Sequence, residues 1–141
     1  MSNAKADCEA LMTSVLSLAK EILSSHSEFL PFGGAMSSNG ELVSVAGYNG
    51  EHSQSTELIR LIKDSFIDSA RKGKFKATAV VYDVRVALPS TGEKSDAIAV
   101  SLNHRDGYSV IVIFPYKIDG GKPIIGSAFA HEGEADIFPQ H

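Results

Sequence analysis

The sequence feature that most constrains the fold is a long run of alternating apolar residues between Lys76 and Leu88. A period of two places successive side chains on opposite faces of a β-strand, so this run predicts one long strand. Residues 89–94 are rich in turn formers, and residues 95–104 resume the alternation. Two consecutive strands joined by a short turn indicate an antiparallel pair.

A further hairpin is predicted at Asp106-Gly107. This dipeptide is typical of a type I′ turn, in which both loop residues take positive φ. The register that such a turn imposes pairs Leu102 with Ile111 and Val100 with Ile113. Gly120-Gly121 ends this strand, and residues 122–130 are predicted to form the last one.

Two stretches in the first half follow a helical period instead. Residues 6–25 carry apolar side chains three and four positions apart, and neither Pro nor Gly interrupts them. The first stripe comprises Leu11, Val15, Leu18 and Ile22, and the second comprises Leu58, Ile59, Leu61, Ile62, Phe66 and Ala70. Both predict amphipathic helices, and Gly73 is the expected end of the second.

Residues 28–37 and 41–48, between the helices, are predicted as two strands joined by Asn39-Gly40. This dipeptide also predicts a type I′ turn, which pairs Met36 with Val43 and Gly34 with Val45. Pro31 favours a position at a sheet edge or a bulge. Gly33-Gly34 favours a kink or the close approach of another part of the backbone.

The predicted element order is α-β-β-α-β-β-β-β in a single domain covering residues 5–138. Short turns between successive strands favour an antiparallel sheet of five to six strands, and we expect the two helices to cover one of its faces. The predicted class is therefore α+β. The order is similar to that of profilin, roadblock and PAS folds, an analogy of topology alone.

Charge and composition exclude some function classes. The net charge is −4, and the basic residues that do gather in sequence, at positions 71–76, lie where the second helix should end. A nucleic-acid-binding role is not expected, because it requires a concentrated basic field. No apolar stretch approaches the length of a membrane span. We expect a cytoplasmic protein, since the chain has one cysteine and no signal-peptide pattern.

Residue types that support catalysis or metal binding are scattered along the chain. The five histidines are His26, His52, His104, His131 and His141, and none has a partner at ligand spacing. We expect them at the surface or in turns. Cys8 is expected to act as a small buried hydrophobe, because the flanking acidic residues disfavour a thiolate. We therefore expect no metal and no cofactor.

Two polar features leave alternatives open. Asp83 and Arg85 stand two positions apart on one strand, where an ion pair along the strand is favoured over a catalytic couple. A strand-to-helix loop is a candidate anion or ligand site through Gly47, Gly50, His52 and Ser53. Glu51 opposes an anion there, and helix capping explains Ser53 without a ligand.

The sheet is predicted to have a second apolar face. If the helices cover Val84, Val86, Val100, Leu102, Ile111 and Ile113, the opposite face carries Val110, Val112, Phe114 and Tyr116. Large apolar side chains on an open face mark an interface. The alternative is that the first hairpin or the C-terminal tail covers them.

Four segments together carry a resemblance: residues 28–33 (EFLPFG), 81–86 (VYDVRV), 93–98 (EKSDAI) and Phe114-Pro115-Tyr116. They resemble a family of small uncharacterised bacterial proteins. The resemblance covers residues 26–138 and implies a bacterial cytoplasmic protein. It implies no activity, cofactor or catalytic residue.

The sequence favours a non-enzymatic protein-binding or scaffold domain that forms a homodimer or meets another protein through the second face. One alternative is a ligand-sensing domain with a pocket beside Gly33-Gly34 or the loop at residues 47–53. Another is an immunity-type protein that neutralises a toxin.

Overall fold

The computed structural model describes residues 3–26, 29–46 and 55–138. Its elements are α1 (Ala4–His26), β1 (Phe32–Ser37), β2 (Leu42–Ala46), α2 (Ser55–Arg71), β3 (Phe75–Ala87), β4 (Lys94–His104), β5 (Ser109–Asp119), β6 (Lys122–Ile125) and β7 (Phe129–Glu132). In the described part of the chain, seven strands form a sheet in the order β2-β1-β3-β4-β5-β6, and β7 also pairs with β5. All of these strand pairs are antiparallel, so the predicted α+β class with an antiparallel sheet is confirmed.

Helix α1 begins two residues earlier than predicted because Asn3 caps it. The Asn3 side-chain Oδ1 accepts the N–H of Ala6 at 3.1 Å, which satisfies one of the free donors of the first turn. Helix α2 ends at Arg71, two residues before the predicted stop at Gly73, which takes a φ of +72°. Strand β1 begins after Pro31 and lies between β2 and β3, so the expected edge position is wrong.

Both predicted type I′ turns are wrong, and each loop holds one more residue than expected. Gly40 and Gly107 take φ of +94°, whereas Asn39 and Asp106 do not adopt the positive φ that a type I′ turn requires. Ser37 N–H donates to Glu41 O at 2.8 Å, so three residues form the first loop. His104 N–H donates to Tyr108 O at 2.8 Å in the second.

The longer loops shift both registers by one residue. The observed pairs are Met36 with Leu42, Gly33 with Val45, Leu102 with Val110, and Val100 with Val112. A shift of one residue moves every side chain of a strand to the other face of the sheet. The predicted membership of the two faces therefore changes.

We name the two faces after the helix that packs on each. The α1 face carries Ala79, Val81, Val100, Leu102, Val112 and Phe114. The α2 face carries Val80, Val84, Val86, Ala99, Ile111 and Ile113. The expectation that one face carries both Val84 and Val100 is wrong, because these residues differ in parity along the β3–β4 register.

The two helices lie on opposite faces, which corrects the prediction of a single covered face. An added Cβ at Gly34 would stand 2.5 Å from Val15 of α1, and one at Gly33 would stand 2.7 Å from Phe66 of α2. The glycine pair therefore lets both helices approach β1, one from each side. The sequence predicted a kink or the close approach of another backbone segment, whereas the groups that approach these glycines are side chains of the two helices. The packed helices occupy the place of the ligand pocket predicted beside them.

This arrangement predicts a specific pattern of coupling between substitutions. We expect Gly34→Ala and Gly33→Ala each to lower the free energy of unfolding by about 1–3 kcal/mol through overpacking. Val15→Ala should relieve the loss at Gly34 and leave the loss at Gly33 unchanged. Urea denaturation of the single and double variants measures both couplings. Coupling of Val15 to Gly33 instead would contradict helices on opposite faces.

The C-terminal tail, residues 133–138, crosses the α2 face without forming a strand or helix. The N–H of Ala135 donates to Ser109 Oγ at 3.0 Å, at the start of β5. Asp136 then meets Lys63 of α2 at 2.7 Å, and Ile137 is buried against Ile62. The tail thus closes the gap between β5 and α2 at this end of the sheet.

Candidate functional site

A groove lies on the α2 face, at the end of the sheet that neither α2 nor the tail covers. Helix α2 packs mainly on β1 and β3. The groove occupies about 600 Å³ between the β3–β4 turn and the sheet edge formed by β6 and β7. The residues that define it are Leu88, Ser95, Pro115, Lys117, Ile124 and Phe129.

The strand registers explain why these side chains meet. Leu88 N–H donates to Glu93 O at 2.8 Å and extends the β3–β4 ladder, which keeps Leu88 on the same face as Val86 and Ser95. Pro115 stands opposite Ala97, and Phe129 stands opposite Ile113. A small side chain at Ala97 leaves room above the sheet. The taller Phe129 and the turn at Pro89 border this space.

The edge strand beside the groove is broken, which the sequence prediction of one strand over residues 122–130 missed. Strand β6 pairs with the end of β5 and β7 pairs with its beginning, leaving residues 126–128 between them. The break lies opposite Pro115, which has no N–H to donate to a neighbouring strand. Gly126 N–H still donates to Pro115 O at 2.7 Å. Pro115 and Gly126 are the sequence signals that could have revealed the break.

The surface of the groove is mainly apolar, and two charged side chains lie at its outer end. Lys117 and Asp119 are two residues apart on β5 and therefore share a face. Both are exposed, and within the described ranges neither forms an ion pair closer than 4.0 Å. The hydroxyl of Ser95 donates to Asp96 O at 2.9 Å. An apolar floor with a mixed-charge mouth can hold a molecule that has an apolar body and a polar end.

The four predicted interface residues do not form an open surface. Val110, Val112, Phe114 and Tyr116 lie on the α1 face, where they pack in the core cluster that contains α1 residues. Phe114 and Tyr116 are only 8% and 5% exposed. The physical reason is the register shift at the Asp106-Gly107 loop, which exchanges the two faces of β5. Of the four, Tyr116 alone borders the groove.

The predicted anion or ligand loop lies outside the described residues. Gly47, Gly50, His52 and Ser53 all belong to the segment between β2 and α2 that the structure does not describe. The candidate therefore stays a prediction.

Asp83 and Arg85 do not pair with each other, so the predicted ion pair along the strand is wrong. Arg85 stands directly opposite Asp96 and meets it at 3.3 Å. Asp83 instead accepts hydrogen bonds from the Tyr116 hydroxyl at 2.9 Å to each carboxylate oxygen.

Cys8 is a buried apolar residue, as predicted. Its side chain lies in the α1 core cluster, and burial, aided by the charge of Asp7, raises the pKa of its thiol to about 12. A thiol with this pKa is not a nucleophile at neutral pH. Cys8 therefore contributes packing to α1.

His104 is buried, which corrects the prediction of a surface or turn position. Its Nδ1 accepts the N–H of Asp106 at 3.1 Å, so the neutral ring carries its proton on Nε2. That nitrogen lies 2.9 Å from the Asp7 carboxylate, which also meets Lys76 at 3.5 Å. Three residues thus join the start of α1 to β3 and β4. His131 is exposed on β7.

The comparisons add no relationship to a known protein. Across residues 3–26, 29–46 and 55–138, no group of three His, Cys, Asp or Glu side chains converges as a metal site. None of the helices in that part of the chain has the length and apolar content needed to cross a bilayer. Comparisons with models of protein families, with curated proteins and with solved structures found no match to this chain.

Proposed function

We propose that this protein binds a small amphipathic molecule in the groove beside β6 and β7. The observation that carries the proposal is a groove of about 600 Å³ with a mainly apolar surface. Ligand sites in proteins have volumes of roughly 300–1,000 Å³ and linings of this kind. The proposal follows the ligand-sensing alternative from the sequence, with the pocket at a different place.

The charges at the groove mouth favour a ligand with a polar or zwitterionic head. Lys117 offers three N–H donors to an anionic group, and Asp119 offers acceptors to a cationic one. The apolar body of the ligand would lie against Pro115 and Phe129. We include a cytoplasmic location in the proposal, because the single cysteine is buried and unpaired, which suits a reducing compartment.

Filling the groove tests the proposal with a matched pair of variants. Ala128 borders the groove, whereas Ala130 is exposed on the same edge but pairs with Val112 of the α1 face. We expect an amphipathic dye such as anilinonaphthalene sulfonate to bind the native protein saturably. Ala128→Trp should raise its Kd about tenfold or more, since the indole occupies the apolar space. Ala130→Trp should leave the Kd unchanged.

Thermal unfolding gives an independent readout with other amphipathic molecules. A ligand that binds the folded state alone raises the Tm by mass action, and Ala128→Trp should remove that shift. Equal dye affinity in native protein and Ala128→Trp would contradict the groove as the site. Lys117→Gln and Asp119→Asn then separate anionic from cationic head groups, because each removes one charge.

A further inference from the structure

Strand β2 forms one edge of the sheet, and half of its main-chain groups face outward. Ser37 N–H donates to Glu41 O, which places Glu41 and Ser37 in a hydrogen-bonded pair. Hydrogen-bonded pairs alternate along an antiparallel ladder, so Val43 also bonds to β1. The N–H and C=O groups of Leu42 and Ser44 therefore point away from β1. A further strand is the natural partner of such a row.

The two edges of the sheet differ in how they are protected. The β6–β7 edge contains Pro123, is interrupted at residues 126–128, and carries Lys122, His131 and Glu132. Breaks, prolines and charges are the devices that block pairing between sheet edges. Strand β2 is the unbroken sequence LVSVA, with no charge, proline or glycine. Its composition therefore lacks every one of these devices.

Exposed apolar side chains cluster at the same edge. Leu42 is 48% exposed and Val43 is 42% exposed, on opposite faces of the strand. Leu61 of α2 is 47% exposed. Ile62 is buried, and its neighbours project about 100° to either side of it around the helix. Lys63 reaches the tail on the β5 side, so Leu61 lies on the flank toward β2.

We propose that β2 pairs antiparallel with β2 of a second copy of this chain, around a two-fold axis at Ser44. A two-fold interface requires a surface that complements itself. The strand sequence has this property, because pairing around Ser44 sets Leu42 opposite Ala46 and Val43 opposite Val45. This register gives a partner to every outward-facing main-chain position of β2, and it brings no like charges together. The proposal is independent of the groove.

The first test is the mass in solution across a concentration series. We expect light scattering to give twice the chain mass of 15.0 kDa for the native protein at high concentration. Ser44→Pro should raise the dimer Kd about a hundredfold or more, because the ring removes a donor at the axis and crowds the partner strand. The monomer should keep its fold, since this N–H does not bond to β1. Far-UV circular dichroism checks the fold, and Ser44→Thr is the conservative control.

A cross-linking experiment tests the register without relying on proline. Paired residues in a hydrogen-bonded position lie about 5.5 Å apart between Cα atoms, so Ser44→Cys should cross-link to itself with a short bismaleimide. Leu42→Cys is the matched control, because its copies would be displaced by four residues, about 13 Å, along the strands. Cys8 is 1% exposed and should not react in the folded protein.

Three results would overturn the proposal. The first is a native protein that keeps the mass of one chain at every concentration, which would leave the edge to a different partner. The second is a folded Ser44→Pro variant that dimerises as tightly as the native protein. The third is cross-linking through Leu42→Cys in preference to Ser44→Cys. Loss of the dye-binding site in the groove would not bear on any of them.

Discussion

Phe66→Ala is expected to lower the free energy of unfolding by about 3–5 kcal/mol, the cost of removing a large buried ring. The Phe66 side chain is fully buried and packs edge-on against Phe75, with ring centroids 6.0 Å apart. It also fills the space that the missing side chain of Gly33 leaves above β1. Because a glycine cannot relax into the vacated volume, the cavity should remain largely open.

Urea denaturation measures this effect, and Ser65→Ala on the same helix is the control. Ser65 is exposed, so its substitution should change the stability by less than about 0.5 kcal/mol. The contrast separates packing from helix propensity, since both variants introduce alanine into α2. A loss below about 1.5 kcal/mol at Phe66 would contradict its central place between α2 and the sheet.

The second large effect is expected at Asp7. Asp7→Ala removes the acceptor of the buried His104 Nε2–H and the charge beside Lys76. Leaving the buried His104 N–H without an acceptor and Lys76 without its carboxylate should together lower the free energy of unfolding by about 3 kcal/mol. Asp7→Asn keeps an acceptor for His104, so it should cost only about 1 kcal/mol.

The same carboxylate predicts a dependence of stability on pH. The hydrogen bond from His104, with Lys76 nearby, holds the pKa of Asp7 below its ordinary value of 3.8. A carboxyl group whose pKa is lowered by folding stabilises the folded state fully at pH values above its unfolded-state pKa. This stabilisation is lost as the pH falls through the lower pKa of the folded state. The difference in unfolding free energy between native protein and Asp7→Asn should therefore shrink as the pH falls below 3.8.

Denaturation at a series of pH values checks this expectation. Comparing the native protein with Asp7→Asn isolates the contribution of Asp7, because the other carboxyl groups contribute equally to both proteins. An unchanged difference down to about pH 2 would show that the charge of Asp7 does not stabilise the fold.

The strands and helices were predictable because local patterns determine them. The alternation from Lys76 to Leu88 and the helical stripe through Leu11 and Val15 each match an element of the structure. The hairpins at Asn39-Gly40 and Asp106-Gly107 also exist. Their registers were not predictable from the dipeptide, because it suits both a two-residue loop and a three-residue loop that ends on glycine.

That one-residue difference decided the candidate site. With the longer loop, Phe114 and Tyr116 turn toward α1, and Ile111 and Ile113 take the other face. The residues predicted to contact a partner are buried in the core. The open apolar surface lies instead at the end of the α2 face, beside Pro115. The groove forms where three separate segments of the chain meet in the folded protein, so no local sequence pattern predicts it.

The sequence by itself determined the class of fold, because hydrophobic periodicity and turn residues act within a few positions of each other. It also marked Gly33-Gly34 as an unusual position in the strand, but not that side chains of both helices pack there. The tertiary structure alone decided which helix covers which face, that His104 is buried beside Asp7, and that Arg85 meets Asp96. These features depend on strand register and on contacts between distant segments, where one residue of loop length exchanges the faces of a strand.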